Sequence, residues 1–92
     1  MIVRSMRVRI VIRGARSLKD KRRILKSLKD RIRNKFNVSV AEVDAQDRHQ
    51  LGVLGVAVVS NERRFTEEVF SQVVNLVRMT PGAELIDFQM DR

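Results

Sequence analysis

Between Arg13 and Leu18 the hydrophobic period changes from two residues to 3.6, and that change restricts the fold more than any other feature. The stretch "MRVRIVIR", residues 6–13, alternates: Met6, Val8, Ile10 and Ile12 point one way, and Arg7, Arg9, Val11 and Arg13 the other. Alternation of this kind marks a strand with one face in a core. Gly14 and Ala15 break it. Ser17 then stands where a helix N-cap belongs, with Asp20 three residues on in the manner of a capping box. From Leu18, at about 100° per residue, Leu18, Ile24, Leu25, Leu28, Ile32 and Phe36 gather on one stripe, and Asn37 supplies a C-terminal cap or turn.

The rest of the chain extends the pattern. "VSVAEVDAQD" predicts a second strand, with Val38 and Val40 followed by Val43 after an irregularity. "RHQ" makes a turn, and "LGVLGVAVVS" is a third strand, apolar on both faces. Its Gly52 and Gly55 point to a bulge or a close backbone approach. Ser60 or Asn61 caps a second helix that runs to about Met79, where Pro81-Gly82 stops it. Phe65, Val69, Val73, Leu76 and Val77 form its buried stripe, with Phe70 and Val74 at the margin. "AELIDFQM" is a last strand with Ile86, Phe88 and Met90 on one face. The order β-α-β-β-α-β defines an α+β, ferredoxin-like fold: a four-stranded antiparallel sheet with both helices on one face. At 92 residues the chain is expected to form a single domain, 1–92, with one modest core.

Charge is distributed unevenly along this frame. Residues 1–36 hold 14 Lys or Arg and two Asp, whereas residues 37–92 hold five Lys or Arg and nine Asp or Glu. On the first helix Lys19, Arg22, Arg23, Lys26, Lys29 and Arg33 share one stripe, interrupted only by Asp30. Like charges three and four residues apart weaken a helix by tenths of a kcal/mol per pair, so stability alone would mix in Glu. A net charge of +8 concentrated on one side suits nucleic acid, an anionic membrane surface or an acidic protein. There is no Cys for disulfides or zinc thiolates, which suits the cytoplasm. No apolar run approaches the roughly 20 residues of a membrane span, and Arg4, Arg7, Arg9 and Arg13 interrupt any signal-peptide core.

Three stretches, "IRGARSLKDKRRILKSLKDRIRNKFNVSVAEVD", "LGVAVVSN" and "AELIDFQ", resemble the bacterial YlxP family over about residues 2–90. The motif positions are Arg16, Ser17, Leu18, Lys19, Lys21, Arg22 and Arg23. The resemblance implies a ferredoxin-like fold. It also implies genes set among those for translation initiation and ribosome maturation, hence a role with RNA or the ribosome. It supplies no catalytic residue.

The candidate interface therefore comprises Arg13, Arg16, Lys19, Arg22, Arg23, Lys26, Lys29 and Arg33, facing the phosphates of RNA or a ribosomal particle. The bland alternative is a solvated cationic face. Base stacking is not expected, because the two central strands contain no aromatic residue and the four Phe fit core positions. Arg7 and Arg9 are expected to pair across strands with Glu42, Asp44 and Asp87. One face of the third strand, either Val53 with Ala57 or Leu54 with Val56 and Val58, would meet water and suggests a homodimer. His49 near Asp47, Asp44 and Glu42 is a turn histidine, with no metal or cofactor expected. An acylphosphatase-like enzyme would use the "RGARSLKDKR" loop, but neither a water-orienting Asn nor a partnered nucleophile can be placed, so no catalysis is expected. A dimeric scaffold or ligand-sensing domain is the remaining alternative.

Overall fold

A computed structural model describes residues 1–91. The chain runs β1 (Ile2–Val11), α1 (Leu18–Lys35), β2 (Ser39–Asp44), β3 (Leu51–Ser60), α2 (Arg63–Arg78) and β4 (Glu84–Met90). The strands form one sheet in the order β2-β3-β1-β4, every neighbouring pair antiparallel. Met6, Val8 and Ile10 of β1 and Leu54, Val56 and Val58 of β3 face Leu25, Leu28 and Ile32 of α1 and Val69, Phe70, Val73 and Val77 of α2. Both helices thus lie on one face, as the alternation demanded. Each such side chain contributes roughly 1.5–3 kcal/mol on burial. Helices leave the other face open, and of the two β3 registers it is Val53 with Ala57 that turns there, but Val53 is buried and Ala57 half-buried, so this pair does not meet water as expected.

β1 begins at Ile2, four residues before the apolar alternation becomes visible, because a charge occupies the core-side row. Arg4 is only 4% exposed. Its Nε donates to Asp91 Oδ1 at 2.6 Å, an Nη donates to the Asp91 carbonyl at 3.3 Å, and Glu67 lies 3.6 Å away. A buried guanidinium is tolerable only when paired in this way.

Three other details depart from simple periodicity. A bulge in the β1–β4 pairing sets Leu85 opposite Ile10 but Asp87 opposite Arg9. Leu85 therefore turns to the core, and Ile86 lines the open face beside Arg9 and Leu51, away from Phe88 and Met90. On α2 the buried stripe is Thr66, Val69, Phe70, Val73, Val74 and Val77, while Phe65 remains 48% exposed. The stripe is rotated by about one position because Thr66 turns its hydroxyl back onto the Arg63 carbonyl at 2.6 Å and can be buried satisfied. A second bulge, between Glu42 and Asp44, throws Val43 over Gly55. A Cβ at Gly55 would stand 2.8 Å from Val43 Cγ1, so the glycine makes room for a side chain and not for another backbone.

The helix starts also differ in detail. Ser17 Oγ accepts from the Asp20 amide at 3.1 Å, but the Asp20 carboxylate accepts from the Arg16 amide, one residue before the cap. α2 is capped by Glu62 without a side-chain bond, and Ser60 Oγ accepts from the Glu62 amide at 3.1 Å. At the other end of α1 the cap is Phe36 and not Asn37.

Asp91 is held below the usual carboxylate range by the Arg4 hydrogen bond and then by the Ser5 amide at 2.8 Å. Arg9 and Arg13 lower Asp87 and Glu84 in the same manner. A depressed carboxylate contributes stability that is present above its unfolded pKa and lost as pH falls through its folded one. Thermal melts followed by circular dichroism are expected to show a constant Tm near neutrality and a steady fall below about pH 4. Asp91→Asn should flatten that fall.

Candidate nucleic-acid interface

The position of α1 is fixed by a residue that looks, in sequence, like one more surface cation. Lys21 is fully buried. Its Nζ donates to the carbonyls of Ala45 and Arg48, each at 2.7 Å, and lies 2.7 Å from Glu42 Oε2. That carboxylate oxygen is itself buried without a directed hydrogen bond, so the ammonium is what compensates its charge. Glu42 consequently faces the helices and not the open face, where cross-strand pairing with Arg7 or Arg9 was expected. The β2–β3 loop, with Ala45 at a left-handed φ of 55°, is thereby wrapped around one ammonium. Gln50 Nε2 adds bonds to the carbonyls of Arg13 (3.2 Å) and Ala15 (3.3 Å), which ties the same loop to the start of α1.

With α1 held so, its two flanks differ. Arg31 reaches Thr80 Oγ1, just beyond α2, at 3.3 Å. Arg33, on the other flank, donates to the Val40 carbonyl of edge strand β2 at 2.8 Å. At 100° per residue Lys19, Arg22, Arg23, Lys26, Lys29 and Arg33 fall within an arc of about 120°. That arc is the flank beside β2. From Lys19 to Arg33 it is about 21 Å long, over which one strand of a duplex presents about six phosphates.

The eight expected contacts are not equally available. Arg13 is committed to Glu84, Nε to Oε2 at 2.7 Å. Arg33 is half-exposed and already engaged with Val40 and, at 3.5 Å, with Asp30, so it is not the simple solvent-facing residue the helical wheel suggests. Arg23 meets Asp20 at 3.3 Å and Lys26 meets Asp30 at 2.9 Å, both side chains remaining about three-quarters exposed. Asp30 is held below the usual carboxylate range by the Lys26 hydrogen bond, with the charges of Arg33 and Lys29 adding to it. Exposed pairs of this kind contribute about 0–1 kcal/mol, so a phosphate can compete for the same cations. Among the described residues Arg16, Lys19, Arg22 and Lys29 have no carboxylate within 4.0 Å.

The open face is electrically quiet by comparison. Arg9 makes a two-pronged pair with Asp87, its Nε to Oδ1 at 2.8 Å, and Arg7 lies 3.9 Å from Asp44. These are the cross-strand pairs the sequence suggested, without Glu42. Asp47 and His49 line a shallow groove on this face, turned away from Glu42, and the described residues contain no group of three or more His, Asp or Glu placed to hold a metal. Asn61 follows β3 at the end where Ser60 pairs with Ile2, whereas the β1–α1 loop leaves the opposite end, where Val11 pairs with Leu51. About 30 Å of strand separates them, so Asn61 cannot serve an acylphosphatase-like loop. Of the four Phe residues, Phe70 is buried and Phe36 half-buried, but Phe65 and Phe88 are 48% and 40% exposed.

This arrangement is that of a ferredoxin-like α+β protein. Two designed proteins superpose on it: LFR1 1, a de novo design with a ferredoxin fold (TM-score 0.62, 14% identity, covering 100% of this chain and 87% of the design), and Ferredog-Diesel (TM-score 0.52, 11% identity, 99% and 85%). The chain belongs to the family described as "Protein of unknown function (DUF503)", whose model matches residues 3–90. It is 40% identical over 74 residues to the uncharacterized protein YlxP of Bacillus subtilis strain 168, covering 80% of each chain. The YlxP resemblance is thus established. No helix among the described residues is long and apolar enough to cross a membrane.

Two sets of variants follow. Lys21→Met is expected to cost about 3 kcal/mol, a loss of more than about 10 °C in Tm, and adding Glu42→Gln should return part of it in the same melts. Arg33→Glu should cost about 1 kcal/mol through the Val40 carbonyl, whereas Lys26→Glu should leave Tm nearly unchanged.

Proposed function

We propose that this protein is a non-catalytic, cytoplasmic RNA-binding domain that docks on RNA or a ribosomal particle through the phosphate backbone, using the β2-side flank of α1. The observation that carries the reading is the partition of charge. On the open face Arg9 is closely paired with Asp87 of the adjacent strand and Arg7 loosely with Asp44 of β2, while Arg16 just before α1 and Lys19, Arg22 and Lys29 on its flank have no carboxylate within 4.0 Å among the described residues. Arg23 and Lys26 are only weakly paired beside them. The preference for RNA over other polyanions rests on the genomic company that the YlxP resemblance implies.

A second reading, a homodimeric scaffold, is favoured by one observation: Val3, Val43, Val59 and Ile86 expose apolar surface on or beside the open face. It leaves the cationic flank without a purpose.

The test is binding of ribosomal RNA and a duplex DNA control across a salt series, with sedimentation run in the same buffers. Neutralising Z phosphates gives a log–log slope of about −0.7Z on single strands and −0.9Z on duplex. A slope equivalent to roughly four to six contacts, RNA preferred, and loss of binding in the folded Arg22→Glu/Lys26→Glu variant would support the RNA reading. A tight dimer with no salt-sensitive binding would replace it with the scaffold.

A further inference from the structure

At the C-terminal end of α1 lies a feature that phosphate binding does not use. Phe36 and Asn37 of the α1–β2 connection, Val59 near the end of β3, and Phe65, Val69 and Gln72 of α2 enclose an open groove of about 330 Å³, with Lys35 at its rim. Phe65 is 48% exposed there. An exposed phenyl beside a second ring is costly to leave in water. The Lys35 ammonium stands 5.9 Å from the centre of the Phe36 ring. The groove therefore combines aromatic surface, a cation, and two amides, Asn37 and Gln72, that can both donate and accept hydrogen bonds.

We propose that this groove receives one unpaired nucleobase of an RNA strand held by α1, a reading that rests on the RNA-binding function above. Three observations select a base over a protein side chain or a second copy of the chain. The groove sits at the end of the same helix that carries the cationic flank, and Arg33 and then Lys35 lead from the flank to its rim, so a strand leaving the flank stays in positive potential. Phe65 offers its ring for stacking, which is tolerant of base identity. The two amides can meet the base edge, and Lys35 the adjoining phosphate. Single-stranded loops and bulges are the RNA elements that can splay out a base in this way.

The chain contains no Trp or Tyr, so Phe65→Trp creates a single indole reporter in the groove. Titration with a short single-stranded RNA of mixed sequence should quench its fluorescence in step with binding measured by anisotropy, while the duplex formed with the complementary strand should bind without quenching. Phe65→Ala should weaken single-strand binding roughly 5- to 100-fold and leave duplex affinity and the salt slope unchanged. Phe65→Leu, which keeps an apolar side chain but cannot stack, should behave like Phe65→Ala. Wild-type affinity for single strands in both variants, or equal quenching by duplex, overturns the base site while leaving the α1 reading intact. If Phe65→Ala instead dissociates a dimer with affinity unchanged, the groove seats a second copy and the proposal is wrong. Absence of binding by the wild-type protein to either RNA removes the RNA reading itself, and the base site with it.

Discussion

A single buried ammonium decides how the first helix sits. Lys21 lies in the middle of the apolar stripe of α1, yet its Nζ finds two carbonyls and a carboxylate at hydrogen-bonding distance. Burying a charge is tolerable only under such full compensation, and the compensation comes from one short segment, Glu42 through Arg48. The contact therefore does two things at once: it folds the β2–β3 loop and fixes the azimuth of α1 over the sheet. If α1 were rotated by one residue, the ammonium would lose all three partners. The direction in which the cationic flank points is thus set from inside the molecule, by a cation that is not part of that flank.

Charge and packing divide the surface accordingly. On the open sheet face, strand register sets Asp87 of β4 opposite Arg9, and Asp44 of β2 approaches Arg7 from beyond β3. On α1 the acids are too few: Asp20 and Asp30 are the only carboxylates in the helix, and Asp30 is shared between Lys26 and Arg33. The repulsion that remains is carried by the apolar stripe beneath, which a helix of 18 residues packed on a sheet can sustain although the isolated peptide could not.

Much of this was legible in the residues. The switch of period between Arg13 and Leu18 located β1 and α1, and the element order followed from the later apolar runs and the turn residues between them. Lys21 was legible in principle: Leu18, Lys21, Leu25, Leu28 and Ile32 follow the three-four spacing of a core row, and a lysine in that row demands buried partners. It was obscured by the surrounding density of cations. The bulge in β2 was legible, through the break in alternation before Val43 and the glycine that faces it; the bulge in β4 was not, because strict alternation there carries no mark of the extra residue that moves Ile86 to the open face. Phe65 misled for a related reason. Hydrophobicity assigns a phenylalanine to the core, but Thr66, with its hydroxyl satisfied by Arg63, takes the buried position next to it. The sign of the candidate surface could be read from sequence; which cations are free could not, since that depends on cross-strand register and on the reach of Arg33.

The reach of Arg33 has a consequence for how the chain avoids its own kind. β2 is a sheet edge, and an edge strand with free carbonyls and amides is a template on which another strand can add. Here one of its carbonyls is occupied by a guanidinium, and the helix flank above it is a row of positive charge that a second copy of the same edge would also bring. Two such edges repel before they can pair. A bound polyanion would cancel that repulsion, but it would lie over the edge while doing so, and the strand would be guarded by charge in one state and by the polyanion in the other.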